Sequence, residues 1–244
     1  MKFLLPLAVL FFSNYPTAQE SEHPLLSSFE EYKKAKENTP FQVKWISAGP
    51  VTNSARVEAL QGDPNQPGTM YVAFGSGNLW KTTNNGLDWK PIFENQPTLG
   101  IGDIAIAPSN SEILYLGTGE SLRKNRNFTM PGTGVYRSDD GGETWAHLGL
   151  EDTWHIGEIA VHPLNPDIVF VAAMGKFWSE STSKGVYRTT NGGKDWERVL
   201  YVNDDTRAND IVIAHSNPKM IYASMWENND NTNIAESVYG PNSG

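Results

Sequence analysis

Val135-Tyr136-Arg137-Ser138-Asp139-Asp140-Gly141-Gly142-Glu143-Thr144-Trp145 is one of three segments written to a single scheme. The others are Leu79-Trp80-Lys81-Thr82-Thr83-Asn84-Asn85-Gly86-Leu87-Asp88-Trp89 and Val186-Tyr187-Arg188-Thr189-Thr190-Asn191-Gly192-Gly193-Lys194-Asp195-Trp196. Each runs apolar residue, aromatic, base, Ser/Thr, any residue, Asp/Asn, any residue, Gly, two residues, Trp. Their terminal tryptophans lie 56 and 51 residues apart. Self-similarity at such a period is the mark of a repeat architecture and takes precedence over local readings.

The spacing has a physical reading. The chain must reverse within a few residues between two strands. Ser138 and Asp140 can hydrogen-bond the loop's own amides, replacing the ladder bonds that the turn gives up. Gly142 can take the positive φ that a side chain resists. Trp145 then re-enters the sheet, where burying its ring between repeats contributes about 2–3 kcal/mol. The same roles fall to Thr82, Asn84, Gly86 and Trp89, and to Thr189, Asn191, Gly193 and Trp196.

Upstream of each corner lies a second recurring pair of segments. Copies begin near Arg56, Asp103, Glu158 and Asp210 and run to a proline at 64, 108, 163 or 218; apolar runs follow from Met70, Ile113, Ile168 and Met220. Short β-branched or aromatic runs bounded by Gly, Pro and Asn read as strand, turn, strand. One unit is therefore four strands over about 45–55 residues, the size of a propeller blade.

The corner element resembles the Asp-box, or bacterial neuraminidase repeat. From Phe41 to Glu227 the chain resembles the Asp-box β-propellers, which include sialidases, xyloglucanases, the sortilin luminal domain and photosystem II assembly-factor-like proteins. It is most similar to secreted bacterial propellers with a sortilin N-terminal-like region. The resemblance implies an all-β arc of about three and a half four-stranded blades, the fourth copy stopping after two strands. Further blades are expected beyond Gly244, because a partial ring leaves two apolar blade faces uncovered.

Met1 to Ala18 has one cation, Lys2, then an apolar run from Phe3 to Phe12. Ten apolar residues are too short to span a bilayer, so residues 1–18 read as an export signal, which predicts a secreted or periplasmic protein without membrane insertion. Residues 19–45 form a lead-in and 46–244 the partial propeller. Within the lead-in, Ser28 and Glu31 fit a capping box opening a short helix that ends near Asn38.

The 244 residues hold 19 Lys+Arg against 28 Asp+Glu, a net charge of −9, and no Cys. An acidic field repels nucleic acid. The lack of Cys removes disulfides, thiolate nucleophiles and Cys-ligated zinc. The five histidines are scattered, so neither metal nor cofactor is implied.

Chemistry is expected at the rim opposite the corners, so Asp139 and Asp140 are assigned to the turn. Glu151, Asp152, Trp154 and His155 stand just before a channel strand and offer a stacking face and acid/base oxygens. Arg123, Lys124 and Arg126 form a basic cluster in the longest loop, suited to a carboxylated or sulfated ligand. Phe177, Trp178 and Glu180 occupy the matching loop of the next blade.

The resemblance to enzymes is incomplete. Sialidases carry an arginine in a Phe/Tyr-Arg-Ile-Pro motif, and Arg56 in Ser54-Ala55-Arg56-Val57-Glu58 lacks those neighbours. The xyloglucanase aspartate of the first blade aligns with Gly75, which cannot transfer a proton. The sequence therefore points to a non-catalytic propeller holding a glycan, peptide or protein through its rim; the alternative is a glycoside hydrolase whose active site is completed by other blades.

Overall fold

The computed structural model describes residues 23–39, 55–121, 129–177, 179–214, 216–227 and 243. The expected export signal, Arg123, Lys124, Arg126, Trp178 and His215 lie outside them.

Three four-stranded antiparallel sheets and one strand pair follow one another in chain order. The first blade comprises β1 (Val57–Gly62), β2 (Met70–Phe74), β3 (Asn78–Thr82) and β4 (Lys90–Pro91). The second comprises β5 (Ile101–Ile106), β6 (Leu114–Thr118), β7 (Val135–Ser138) and β8 (Ala146–His147). The third comprises β9 (Ile156–Val161), β10 (Val169–Ala173), β11 (Gly185–Thr189) and β12 (Glu197–Leu200), and the fourth only β13 (Thr206–Ile213) and β14 (Ile221–Glu227). In each sheet the strands lie in sequence order, so every link is a hairpin. The partial propeller arc expected from the repeats is the fold observed.

The first strand of each blade is its inner one: β1 touches β5, β5 touches β9, and β9 touches β13. A β-bulge recurs at one position in all four, beside Glu58, Gly102, Gly157 and Asn209. Such a bulge bends the strand and re-aims its first residues.

Apolar rows from facing blades form three successive cores. Tyr71, Ala73 and Leu79 of the first blade meet Ile104, Leu116 and Tyr136 of the second. Ala105, Tyr115 and Val135 then meet Ile159 and Val171, and Phe170, Ala172 and Val186 meet Ile211 and Ile213.

The corners are built as their spacing requires. Ser138 Oγ donates to Asp140 Oδ1 at 2.7 Å and accepts the Gly142 amide at 2.8 Å, and Asp140 Oδ1 accepts the Thr144 amide at 2.8 Å. Thr82 with Asn84 and Thr189 with Asn191 repeat the arrangement. Gly142 has a φ of 95°. Hydrogen bonds from Thr144 lead the causes that lower the Asp140 carboxyl to about 2, the signature of a turn acceptor rather than a proton donor.

The tryptophan rings are half-buried rather than enclosed between blades. Those of the second and third blades instead clasp the preceding blade: Trp145 Nε1 donates to the Ile92 carbonyl at 2.9 Å and Trp196 Nε1 to that of Leu148 at 2.8 Å. The base of the scheme works in the other direction. Lys81 Nζ donates to the Gly141 carbonyl at 2.8 Å, and Arg137 reaches Asp167 of the third blade at 2.8 Å.

The lead-in helix α1 spans Pro24–Glu37, so it opens four residues ahead of Ser28. Its N-cap is His23, whose Nδ1 accepts the Leu25 amide at 3.3 Å. Pro24, with its fixed φ and missing N–H, is favoured at the first helical position and overrides the Ser28–Glu31 box. Lys34 and Lys36 stand in the last turn, as the helix dipole favours.

Candidate functional site

The rim begins where the bulged inner strands begin. Arg56, Gly100, His155 and Arg207 hold the same register, one residue before the pair that precedes each bulge. Glu120 stands just past the end of β6, and Trp154 just before β9.

Trp154 has a backbone that few non-glycine residues adopt, φ 55° and ψ −39°. It closes a single 3-10 turn, Glu151–Thr153, that opens on Leu150 at φ 60°. Such a conformation costs on the order of 1–3 kcal/mol and persists only where neighbours enforce it. Here Gly132 donates its amide to the Trp154 carbonyl at 2.7 Å. Gly119 sits against the same carbonyl so closely that a Cβ would lie 2.0 Å from it, and its φ is 89°. The sequence thus fixes a tryptophan on a strained corner by surrounding it with glycine.

Thr129, Pro131, Trp154, His155, Lys176, Phe177 and Ser179 line a rim pocket of about 320 Å³. Lys176 Nζ lies 5.0 Å from the centre of the Trp154 ring, and the His23 ring of the lead-in meets that indole at 4.7 Å. Trp154 Nε1, Thr129 Oγ1 and His23 Nε2 are buried without a hydrogen-bond partner among the described residues. Orphaned polar groups of this kind are rare in folded proteins and mark sites that a ligand or water completes.

Behind the pocket the rings form a stack. His155 lies flat on Phe177, centroids 4.1 Å apart and planes at 5°. The Arg207 guanidinium covers Phe177 at 4.7 Å and Trp226 at 5.7 Å. Burial, and then the Arg207 charge, push the His155 imidazole down to about 3. It is therefore neutral throughout the physiological range and lacks the tuning toward neutral pH expected of an acid–base catalyst. Its Nδ1 contacts the Glu120 carbonyl at 3.1 Å.

Glu120 is fully buried and paired with Arg56. Met130 donates its amide to Glu120 Oε2 at 3.2 Å, and Ser121 Oγ donates to Glu58 Oε2 at 3.0 Å. A Cβ on Gly75 would stand 2.8 Å from an oxygen of each carboxylate. An aspartate at Gly75 would require the Glu58 and Glu120 side chains, which border that space, to shift.

Deeper in the channel Asp103, Glu158 and Asp210 hold one register on three inner strands. Asp103 is buried and its Oδ2 accepts the Ile159 amide at 2.8 Å. Burial first, and then the Glu158 charge, raise its carboxyl well above the ordinary range.

Of the residues expected at the mouth, the pocket joins Trp154 and His155; Glu151 is half-buried and Asp152 exposed on the 3-10 turn, outside the lining. Sequence reasoning missed Glu58, Glu120, Arg207, Lys176, Thr129 and His23. Aligning the inner strands one step further upstream brings out Arg56, His155 and Arg207 as one register; the others have no repeat signal.

Among the described residues no group of three His, Cys, Asp or Glu is placed to hold a metal, and no helix is long and apolar enough to cross a membrane.

Known proteins share this architecture. A xyloglucanase, Xgh74A of Acetivibrio thermocellus, is 27% identical over 177 aligned positions, covering 59% of this chain and 20% of its own length. A xyloglucanase of a Paenibacillus species is 25% identical over 222 positions, covering 74% of this chain and 20% of its own. The chain thus spans about a fifth of these relatives. The crystal structure of an ancestral GH74 enzyme superposes with a TM-score of 0.56 at 23% identity, covering 71% of this chain and 22% of that one, which is a likeness of fold. The family model for sortilin and neurotensin receptor 3 matches residues 77–243, more than half of the sequence, and the chain belongs to this Sortilin-Vps10 family of propellers.

Proposed function

We propose that this chain forms the ligand-binding rim of a secreted, non-catalytic propeller, and that the ligand, a glycan or a peptide, is held at the Trp154 pocket. One observation carries the reading: a strained corner lifts Trp154 to the pocket wall with its indole N–H unpartnered among the described residues. A backbone cost of this kind is retained where it serves recognition. Trp154, Phe177 and Pro131 supply apolar faces, and Lys176, Thr129 and Ser179 supply donors, the mixture that orients a small ligand group. The volume of about 320 Å³ suits one sugar ring or one large side chain. Export is proposed from the apolar run at residues 3–12.

The test is calorimetric titration with xyloglucan oligosaccharides and, separately, with a peptide pool, while reducing ends are counted. Saturable binding to one of them, weakened about tenfold or more by Trp154→Ala, with no sugar released, is expected. Absence of binding to either would refute it.

A glycoside hydrolase is the second reading, favoured by the approach of Glu58 and Glu120 around Gly75. The pairing of the buried Glu120 with Arg56 opposes it, because a carboxylate held by a guanidinium is a poor proton donor. Release of reducing sugar from xyloglucan, abolished by Glu58→Gln or Glu120→Gln, would promote it.

A further inference from the structure

The side chains that meet at the Trp154 pocket are almost all hydrogen-bond donors. Lys176 has three N–H donors and no acceptor, and the Trp154 indole donates only. Thr129 and Ser179 bring hydroxyls, which serve either way. His23 stands beside the pocket. Its Nδ1 accepts the Leu25 amide, so the neutral ring carries its proton on Nε2 and is a donor there. The one side-chain acceptor of the lining is His155, whose Nδ1 donates to the Glu120 carbonyl at 3.1 Å and so leaves Nε2 bare.

Burial makes this imbalance costly. Thr129 is 8% exposed and His23 5%, yet Thr129 Oγ1, His23 Nε2 and Trp154 Nε1 have no partner among the described residues. Buried donors of this kind call for an acceptor. Charge points the same way. Lys176 is the one charged residue of the lining, since burial holds His155 neutral, and Glu151 and Asp152 stand outside it. A pocket whose own charge is positive thus lies in a chain of net charge −9.

Taking the Trp154 pocket as the ligand site, we propose that it selects a hexuronate, a sugar ring whose carboxylate accepts from Lys176 and the unpartnered donors beside it. A carboxylate accepts and never donates, and its bond to an ammonium is about twice as strong as a neutral one. A neutral ring would desolvate Lys176 without a counter-charge. The sugar is favoured over an acidic peptide by the same count. A peptide brings a backbone N–H at nearly every residue, and the side chains of the lining offer only His155 Nε2 to receive them. A hydroxyl accepts where a donor faces it and donates where His155 does. The volume of about 320 Å³ suits one ring, with the faces of Trp154 and Pro131 to pack against.

The test is titration of the full chain, followed by the Trp154 indole N–H resonance, with three probes. These are a xylo-oligosaccharide bearing one glucuronate, the same oligosaccharide without it, and a tripeptide with a central glutamate. The glucuronate probe is expected to bind about tenfold or more tightly than its neutral counterpart, by a margin that shrinks as salt is added. Lys176→Gln should cut that preference to about threefold or less and Lys176→Arg should keep it, because arginine restores the charge. The Trp145 and Trp196 signals report that each variant keeps its blades. Equal binding of the two oligosaccharides, or a preference that survives Lys176→Gln, overturns the hexuronate while leaving a ligand site at Trp154. Tighter binding of the tripeptide than of the glucuronate probe does the same. A Trp154 signal that none of the three moves overturns the hexuronate and the site together.

Discussion

The corner end and the rim end of the blades obey different rules. At the corners three turns repeat one hydrogen-bond pattern, and the tryptophans of the second and third blades clasp the blade before them. At the rim the backbone register repeats but the side chains do not: Trp154 is strained, three polar atoms at or beside the pocket lack partners among the described residues, and one imidazole is buried neutral. Regularity accompanies the joints between blades, and irregularity accompanies the pocket proposed to hold a ligand. A fold can place strain at one end of a blade because the other end is fully satisfied.

The sharpest break of that contrast is Trp145→Ala. It removes a ring packed edge-on to Phe93 at 5.4 Å and the bond to Ile92. Urea unfolding should show a loss of about 3–4 kcal/mol, reduced from a full core truncation only by the ring's half-exposure. A loss below about 1 kcal/mol would mean that the corner is not what binds the blades.

Acid should act next, through the rim. The folded pKa of His155 is depressed, so its contribution is complete above the unfolded value of about 6.5 and is lost as pH falls toward about 3. At pH 4.5 that is on the order of 2–3 kcal/mol, at about 1.4 kcal/mol per unit. His155→Phe should flatten this part of the stability profile, measured as urea midpoints between pH 7 and 4.5; an unchanged slope would contradict the buried neutral imidazole.

Asp103→Asn tests the channel between the two ends and has the opposite sign. A carboxyl whose folded pKa is raised costs stability above that pKa, while the amide oxygen can still accept from Ile159. Stability at pH 7 should rise, and the gain should vanish in acid. Destabilisation at pH 7 would show that the carboxylate is paired rather than repelled.

The smallest effect on stability is the most informative about function. Trp154→Gly relieves the positive φ while deleting the indole, so the two changes offset to within about 1 kcal/mol. Ligand binding should nevertheless disappear. A large loss of stability would make Trp154 a core residue.

How much of this was legible follows the same division. The blades could be read because Ser138, Asp140, Gly142 and Trp145 recur with fixed spacing, and recurrence averages away local ambiguity. The helix opens at Pro24 rather than after Ser28 because proline is favoured at the first helical position, and the packing of His23 against Trp154 supports that start. Rim loops gave Trp154 and His155, which precede a strand. They did not give Thr129, Lys176 or His23, which reach one pocket from three separate stretches of chain. Glu120 was hidden for another reason: a single buried carboxylate paired with Arg56 leaves no periodic trace.

The indole N–H resonance of Trp154, followed by two-dimensional NMR during titration with xyloglucan oligosaccharides and with the peptide pool, puts the two ends of the blade in one spectrum. The signal is assigned by its absence in Trp154→Phe. It should move saturably with one of the two ligands while those of Trp89, Trp145 and Trp196 stay fixed. Movement of the corner signals alone, or of none, would contradict a ligand site at the rim.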